Sequence, residues 1–269
     1  MMVLVLVSSY ALRPYILLLH YHWYEKLSNT SYDYSVTIYP TTYPLFTTDT
    51  MRKYIVCISW EQFVIVFVAL YWMGSDIMFA QITTHTAIQF RVLRHDLKYI
   101  TQTPVSRDKN TEKVLIARLS AIARRHHDLY RHCEMIERIY NPITFLTMLL
   151  TAVNMCFCVF RLEKELSHKN WDEVIKYLFH AVTLIVQAVI YCGYADKLTY
   201  QSSLIANAAY DCQWVERSEE FKILLRIIMM RSQRIFKCTA YGFFSVNLNQ
   251  ITVIGNTAAS YFALLKTVA

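Results

Sequence analysis

The chain has little of what punctuates a soluble globular fold. It carries four glycines and five prolines in 269 residues, so few tight turns are encoded and long uninterrupted elements are favoured. Its seven cysteines include no Cys-x-x-Cys pair. That removes zinc-ribbon and thioredoxin-type chemistry, and their apolar surroundings read as those of small buried hydrophobes. No Gly-rich phosphate loop, nucleophile elbow or carboxylate pair stands out. Charge is scarcest at the end, where Cys238 to Leu265 holds no ionisable Asp, Glu, Lys, Arg or His.

What is present is apolar and aromatic: 55% and 14% of the residues, respectively. Such a balance suits a helical membrane protein, and the expected fold class is all-α, a polytopic membrane helix bundle. A span needs ~20 largely apolar residues. Spans are expected at about 3–24, 54–74, 139–160, 177–194 and 238–265, within a single membrane domain covering 1–269. The first is interrupted by Arg13-Pro14 and reads as kinked or partial. The last carries Asn247, Asn249, Gln250, Thr252, Asn256, Thr257, Ser260 and Thr267, so one side of it should meet water or protein.

Between spans the helical pattern continues. Tyr54 to Tyr99 predicts one helix of roughly 45 residues, about 70 Å long and more than twice a bilayer core, so its excess projects into water. From Thr111 onward, Leu115, Leu119, Ile122, His126, Leu129, Cys133 and Ile136 alternate by steps of four and three, the seam of a packed helix pair. Phe221 to Met230 predicts a short amphipathic helix. Helical extensions over about 75–138 and 195–237 thus gather on one side of the membrane.

Charge assigns that side. Lys and Arg crowd the stretches Arg91 to Arg138 and Lys197 to Lys237, whereas the opposite loops hold fewer: Lys26, Arg52, Lys53, Arg161, Lys164, Lys169 and Lys176. By the positive-inside rule the crowded stretches are cytoplasmic. The plasma-membrane chain then has an extracellular C-terminus and an extracellular loop carrying the sole glycosylation triplet, Asn29-Thr30-Ser31. The net charge of +7 follows from this topology and does not imply nucleic acid; membrane lipid is an expected partner of the spans. A rhodopsin-like receptor has the opposite arrangement, and Asn141-Pro142-Ile143-Thr144-Phe145 opens a middle span instead of closing the last. His126, His127, His132 and Cys133 form the one dense cluster of metal-capable side chains. One such box without its companions is not a membrane oxygenase, so neither an enzyme, a metal nor a cofactor is expected.

Specific residues carry a family resemblance. Ala259-Ser260-Tyr261-Phe262-Ala263-Leu264-Leu265-Lys266 resembles the end of the last transmembrane segment of insect odorant receptors. Arg125-His126-His127-Asp128 on a cytoplasmic helix, the Tyr210 and Trp214 pair, and Arg231, Gln233 and Arg234 before the last span are similar to that family too. Thr267-Val268 replaces the Gln-Phe usual in gustatory receptors, which form the alternative within the same superfamily. The family has seven spans and this chain shows five, matching the third to the seventh, so a non-functional receptor fragment or a membrane scaffold is a further alternative.

The resemblance implies an odorant-gated cation channel subunit that binds a small volatile odorant in its outer half and forms a hetero-tetramer with the olfactory co-receptor. Pockets for apolar guests are lined by aromatics with a few orienting polar groups. Two stripes fit: Trp60, Phe63, Phe67 and Tyr71 on one span, and Tyr177, His180, Leu184, Gln187 and Tyr191 on another. The resemblance places an apolar gate at Leu264 and Val268, with Asn256, Ser260 and Thr267 wetting the pore beside it. The seam from Leu115 to Ile136 is too apolar for cytosol, and part of its burial is expected between subunits.

Overall fold

A computed structural model describes residue 12, residues 14–21, residue 23, and residues 50–102 and 109–268. Residues 14–20 are helical; residues 3–11, 13, 22 and 24 of the expected first span, and Asn29, lie outside the described residues. The remaining elements are α1 (Met51–Gln102), α2 (Lys109–Ser167), α3 (Trp171–Tyr210), α4 (Glu219–Ser232), the strands β1 (Thr239–Ala240) and β2 (Phe244–Ser245), and α5 (Leu248–Val268). Helices of 52, 59 and 40 residues follow from the shortage of breakers. Pro142 lies inside α2, where it removes one backbone donor. Three of these helices, Met51–Ile100, Asn110–Ser167 and Glu173–Tyr210, are long and apolar enough to cross a membrane.

The chain divides into two compact units, Met1–Ile77 and Met78–Ala269, and α1 contributes to both. In the first, Tyr54, Ile58, Glu61 and Ala69 are buried. They recur at helical spacing, as one side of an amphipathic turn pattern requires.

In the second unit α2 is the central element, packing with α3, α4, α5 and β1. Its seam is buried within the chain's own core: Leu115, Leu119, Ile122, His126, Cys133 and Ile136 are buried and Leu129 is partly so. Phe90, Leu93 and Leu97 of α1, Leu198 and Ile205 of α3, and Phe221, Leu225 and Ile228 of α4 belong to the same cluster. The expectation that this seam joins subunits is therefore corrected. Apolar side chains this deep have already lost their water to other helices of the same chain, leaving only the half-buried Leu129 of the seam with surface for a neighbour.

Polar links close the far end of this bundle. Glu112 of α2 accepts from the Arg217 guanidinium at 3.4 Å, the Ser218 hydroxyl at 2.9 Å and the Ser218 amide at 3.3 Å. Ser218 in turn caps α4 by accepting from the Phe221 amide, satisfying one of the free donors of its first turn.

The last helix starts later than expected. A span beginning at Cys238 does not form, because residues 239–245 fold back as an antiparallel hairpin pairing Thr239 with Ser245 and Ala240 with Phe244. Tyr241 and Gly242 have φ of 50° and 72°, and the Phe243 amide donates to the Ala240 carbonyl at 3.0 Å. These are marks of a tight I′-type turn. Asn247 then caps α5, its side chain accepting from the Gln250 amide at 3.1 Å. The Asn-x-x-Gln spacing is a start signal legible in the sequence.

Candidate functional site: the faces of α3 and α5

α3 carries the second aromatic stripe. Tyr191 is 1% exposed, stacked on Phe79 of α1 with ring centroids 4.8 Å apart. Tyr140 of α2 meets the same Phe79 at 5.0 Å, tilted. Leu184 is buried against Met155 of α2 and Ala258 of α5. Tyr177 lends its backbone carbonyl to the Cys158 thiol at 3.0 Å. Tyr177 and Gln187 are half-buried and His180 is exposed. The stripe thus grades from a packed floor at Tyr191 to an open edge at His180. No local pattern marks Phe79 and Tyr140 as partners of Tyr191, because each lies on a helix other than α3, Phe79 beyond the expected span 54–74 and Tyr140 at the start of 139–160.

The other stripe has a different character. Trp60, Phe63, Phe67 and Tyr71 are all exposed, Tyr71 at 77%. Their rings run along one face of α1, with Trp60 to Phe63 at 6.0 Å and Phe63 to Phe67 at 6.3 Å. A cavity of about 380 Å³ involves no residue of either stripe and is lined by His95, Asp96, Tyr99, Ile100, Arg118, Ala121 and Ile122. Its charged rim does not suit an apolar guest.

α5 is packed on one side only. Ile254 and Ala258 are buried, while Asn256, Ser260 and Leu264 are exposed, Leu264 at 61%. Residues four apart share a helix face, so Asn256, Ser260 and Leu264 form a row turned away from the packed one. The Ser260 hydroxyl donates to the Asn256 carbonyl at 2.9 Å and Thr257 to Val253 at 2.8 Å, which quiets these hydroxyls within the helix. The side chains of Thr267 and Val268 lie outside the described residues. The amino end of α5 is tied to α3, with the Leu248 amide donating to the Asp196 carboxylate at 3.1 Å.

The histidine cluster is dispersed. His126 is buried, 3.4 Å from the Ser232 hydroxyl and edge-on to Tyr130 at 4.9 Å, whereas His127 and His132 are exposed. Burial, then the nearby Arg231 and His127, lower the His126 pKa from 6.5 to about 4. It is a neutral core residue at physiological pH. Burial also pushes the Cys133 thiol well above its ordinary range, so it is no ready thiolate. Among the described residues no group of three His, Cys, Asp or Glu side chains is placed to hold a metal ion.

Comparison with known proteins agrees with the helical order. The 7tm odorant receptor family profile matches residues 5–259. Odorant receptor 13a of Drosophila melanogaster is 25% identical over 233 residues, 78% of this chain and 54% of that protein. The odorant receptor coreceptor of Anopheles gambiae is 27% identical over 142 residues, 52% of this chain and 29% of that protein. The chain spans about half the length of the first of these relatives. The solved insect olfactory receptor OR5 from Machilis hrabei in complex with eugenol superposes with a TM-score of 0.71 at 16% identity, over 98% of this chain and 65% of that one; this likeness speaks to the fold. With a family profile that runs through nearly every element described above, the chain belongs to the 7tm odorant receptor family.

Proposed function

We propose that this chain is an odorant receptor subunit: a ligand-gated cation channel of the plasma membrane that binds a small volatile molecule and acts with the olfactory co-receptor in a hetero-tetramer. The observation that carries the reading is the one-sided packing of α5. A helix buried along Ile254 and Ala258 but carrying Asn256, Ser260 and Leu264 on its outward row is half of a pore wall awaiting its symmetry mates. Leu264 and Val268 form the gate in this reading. An apolar ring excludes ions by dewetting, and widening it opens a path that Asn256, Ser260 and Thr267 wet on either side.

The odorant contacts draw on the two aromatic stripes. Tyr177, His180, Leu184, Gln187 and Tyr191 form one candidate set and Trp60, Phe63, Phe67 and Tyr71 the other. The guest opens the channel only by binding the open state better than the closed one, and the Asp196 to Leu248 bond joins the ligand-bearing helix to the pore helix. The basic cytoplasmic bundle, an outward Asn29 glycan and an extracellular C-terminus complete the topology.

The decisive experiment is cation flux in cells given this chain with and without the co-receptor, against a panel of volatiles. Odorant-evoked current only with the co-receptor is expected, and Leu264→Ala should raise the resting current while the response persists. A responding channel whose resting current and ion permeability are unmoved by changes at both Leu264 and Val268 would put the gate elsewhere.

A further inference from the structure

The hairpin before α5 presents aromatic rings that the chain leaves uncovered. Phe243 is 78% exposed and Tyr241 60%. Both rings rest on Phe145 of α2, Tyr241 edge-on and Phe243 stacked, each with centroids 5.5 Å away. Tyr241 also occupies a left-handed conformation, φ 50°, which disfavours any residue with a side chain and is usually given to Gly or Asn. Its amide is fixed by the Asn141 side chain, and Thr239 is fixed by donating to Glu137 at 2.6 Å. The fold therefore holds a bulky ring in a costly position and then leaves it exposed, an arrangement that points to a surface outside the chain.

The position of this aromatic knuckle says which surface. Phe145 lies a few residues into the apolar run of α2, whose exposed face continues as Leu146, Leu149, Leu150, Val153 and Phe157. On the other side stand exposed Arg138, Arg234 and Lys237. Aromatic rings between an apolar band and a basic collar are the composition of a membrane interface, and the collar complements anionic headgroups.

We propose that the Tyr241–Phe243 knuckle is an interfacial anchor that seats in the headgroup region of an anionic phospholipid leaflet, with Arg138, Arg234 and Lys237 against the lipid charges. The anchor fixes the depth at which α5 enters the bilayer. Its assignment to the cytoplasmic leaflet rests on the topology proposed above; its contact with lipid does not.

The test places the photoreactive p-benzoylphenylalanine at Phe243 in the full chain, reconstituted in nanodiscs of phosphatidylcholine with or without phosphatidylserine. A second version carries the probe at Val215, exposed in the loop between α3 and α4. Irradiation should give phospholipid adducts at position 243 and none at 215. Phosphatidylserine should exceed its bulk share among the adducts by about twofold or more, as one or two basic residues near a charged surface produce. Arg234→Glu with Lys237→Glu should abolish that excess while keeping the phosphatidylcholine adduct. Adducts at 243 only to a second receptor chain, or none to lipid, would overturn the anchor, as would a phosphatidylserine share equal to bulk. Because both leaflets of the disc are alike and no current is read, these outcomes do not depend on orientation or on channel activity.

Discussion

Two halves of α2 separate two kinds of surface in one continuous helix. From Leu115 to Ile136 most of its apolar residues are packed against other helices, and its outward positions carry Arg118, Arg124, Arg125, Arg131 and Glu134 beside one large apolar side chain, Met135. From Ile139 onward the outward positions are Ile143, Leu146, Leu149, Leu150, Val153 and Phe157. α3 repeats the contrast in reverse chain order, exposing Ile175, Leu178, Val182 and Ile185 and then burying Ala195, Leu198, Ile205 and Ala209. One end of the bundle is built as a water-soluble protein, polar outside and apolar within. At the other the outside is apolar too, which is stable only where lipid replaces water.

The contrast breaks most sharply where a charge enters the soluble-type half. Leu119 is fully buried, so Leu119→Glu should cost more than about 4 kcal/mol, the range of an uncompensated buried charge. Loss of a monodisperse peak in size-exclusion chromatography is the expected reading, and a chain with unaltered melting behaviour would deny that this half is a closed core.

A smaller effect is expected from acid. Because the folded pKa of His126 lies near 4 and its ordinary value is 6.5, the unfolded chain takes up the proton first as pH falls. Stability present above pH 6.5 is therefore lost on descending toward pH 4, by at most about 3 kcal/mol. His126→Gln should flatten thermal stability across that window relative to the parent chain. Equal acid sensitivity in both would remove His126 from the account.

The smallest effect should come from the membrane half. Leu149→Ala on the exposed face of α2 should leave detergent-solubilised stability within ~0.5 kcal/mol of the parent, as a surface change does. A loss of several kcal/mol would mean that another protein surface, and not lipid or detergent, covers this face.

Much of the architecture was legible in the residues. The long helices follow from the shortage of Gly and Pro, the α2 seam from its four-and-three spacing, and α4 from Ser218 and the amphipathic run after it, because each signal acts within a few turns of one chain segment. The start of α5 was readable in Asn247 and Gln250, yet the uncharged run from Cys238 masked it: hydropathy sums a window and is blind to a turn inside it. Among the candidate ligand residues, periodicity grouped Tyr177 to Tyr191 on one face of α3. It could not tell that Tyr191 would be closed in by Phe79 and Tyr140 while Tyr71 stayed exposed.

By itself the sequence determined that this protein is a set of long apolar helices with a basic, helical extension, since composition and period act through local backbone preference and transfer from water. Only the tertiary structure decided which apolar faces are consumed within the chain. The Leu115 to Ile136 seam and the row of Asn256, Ser260 and Leu264 are both plain helical stripes, and one became core while the other stayed open. That outcome depends on which distant helix arrives alongside, a property of contacts far apart in the chain that no local pattern encodes.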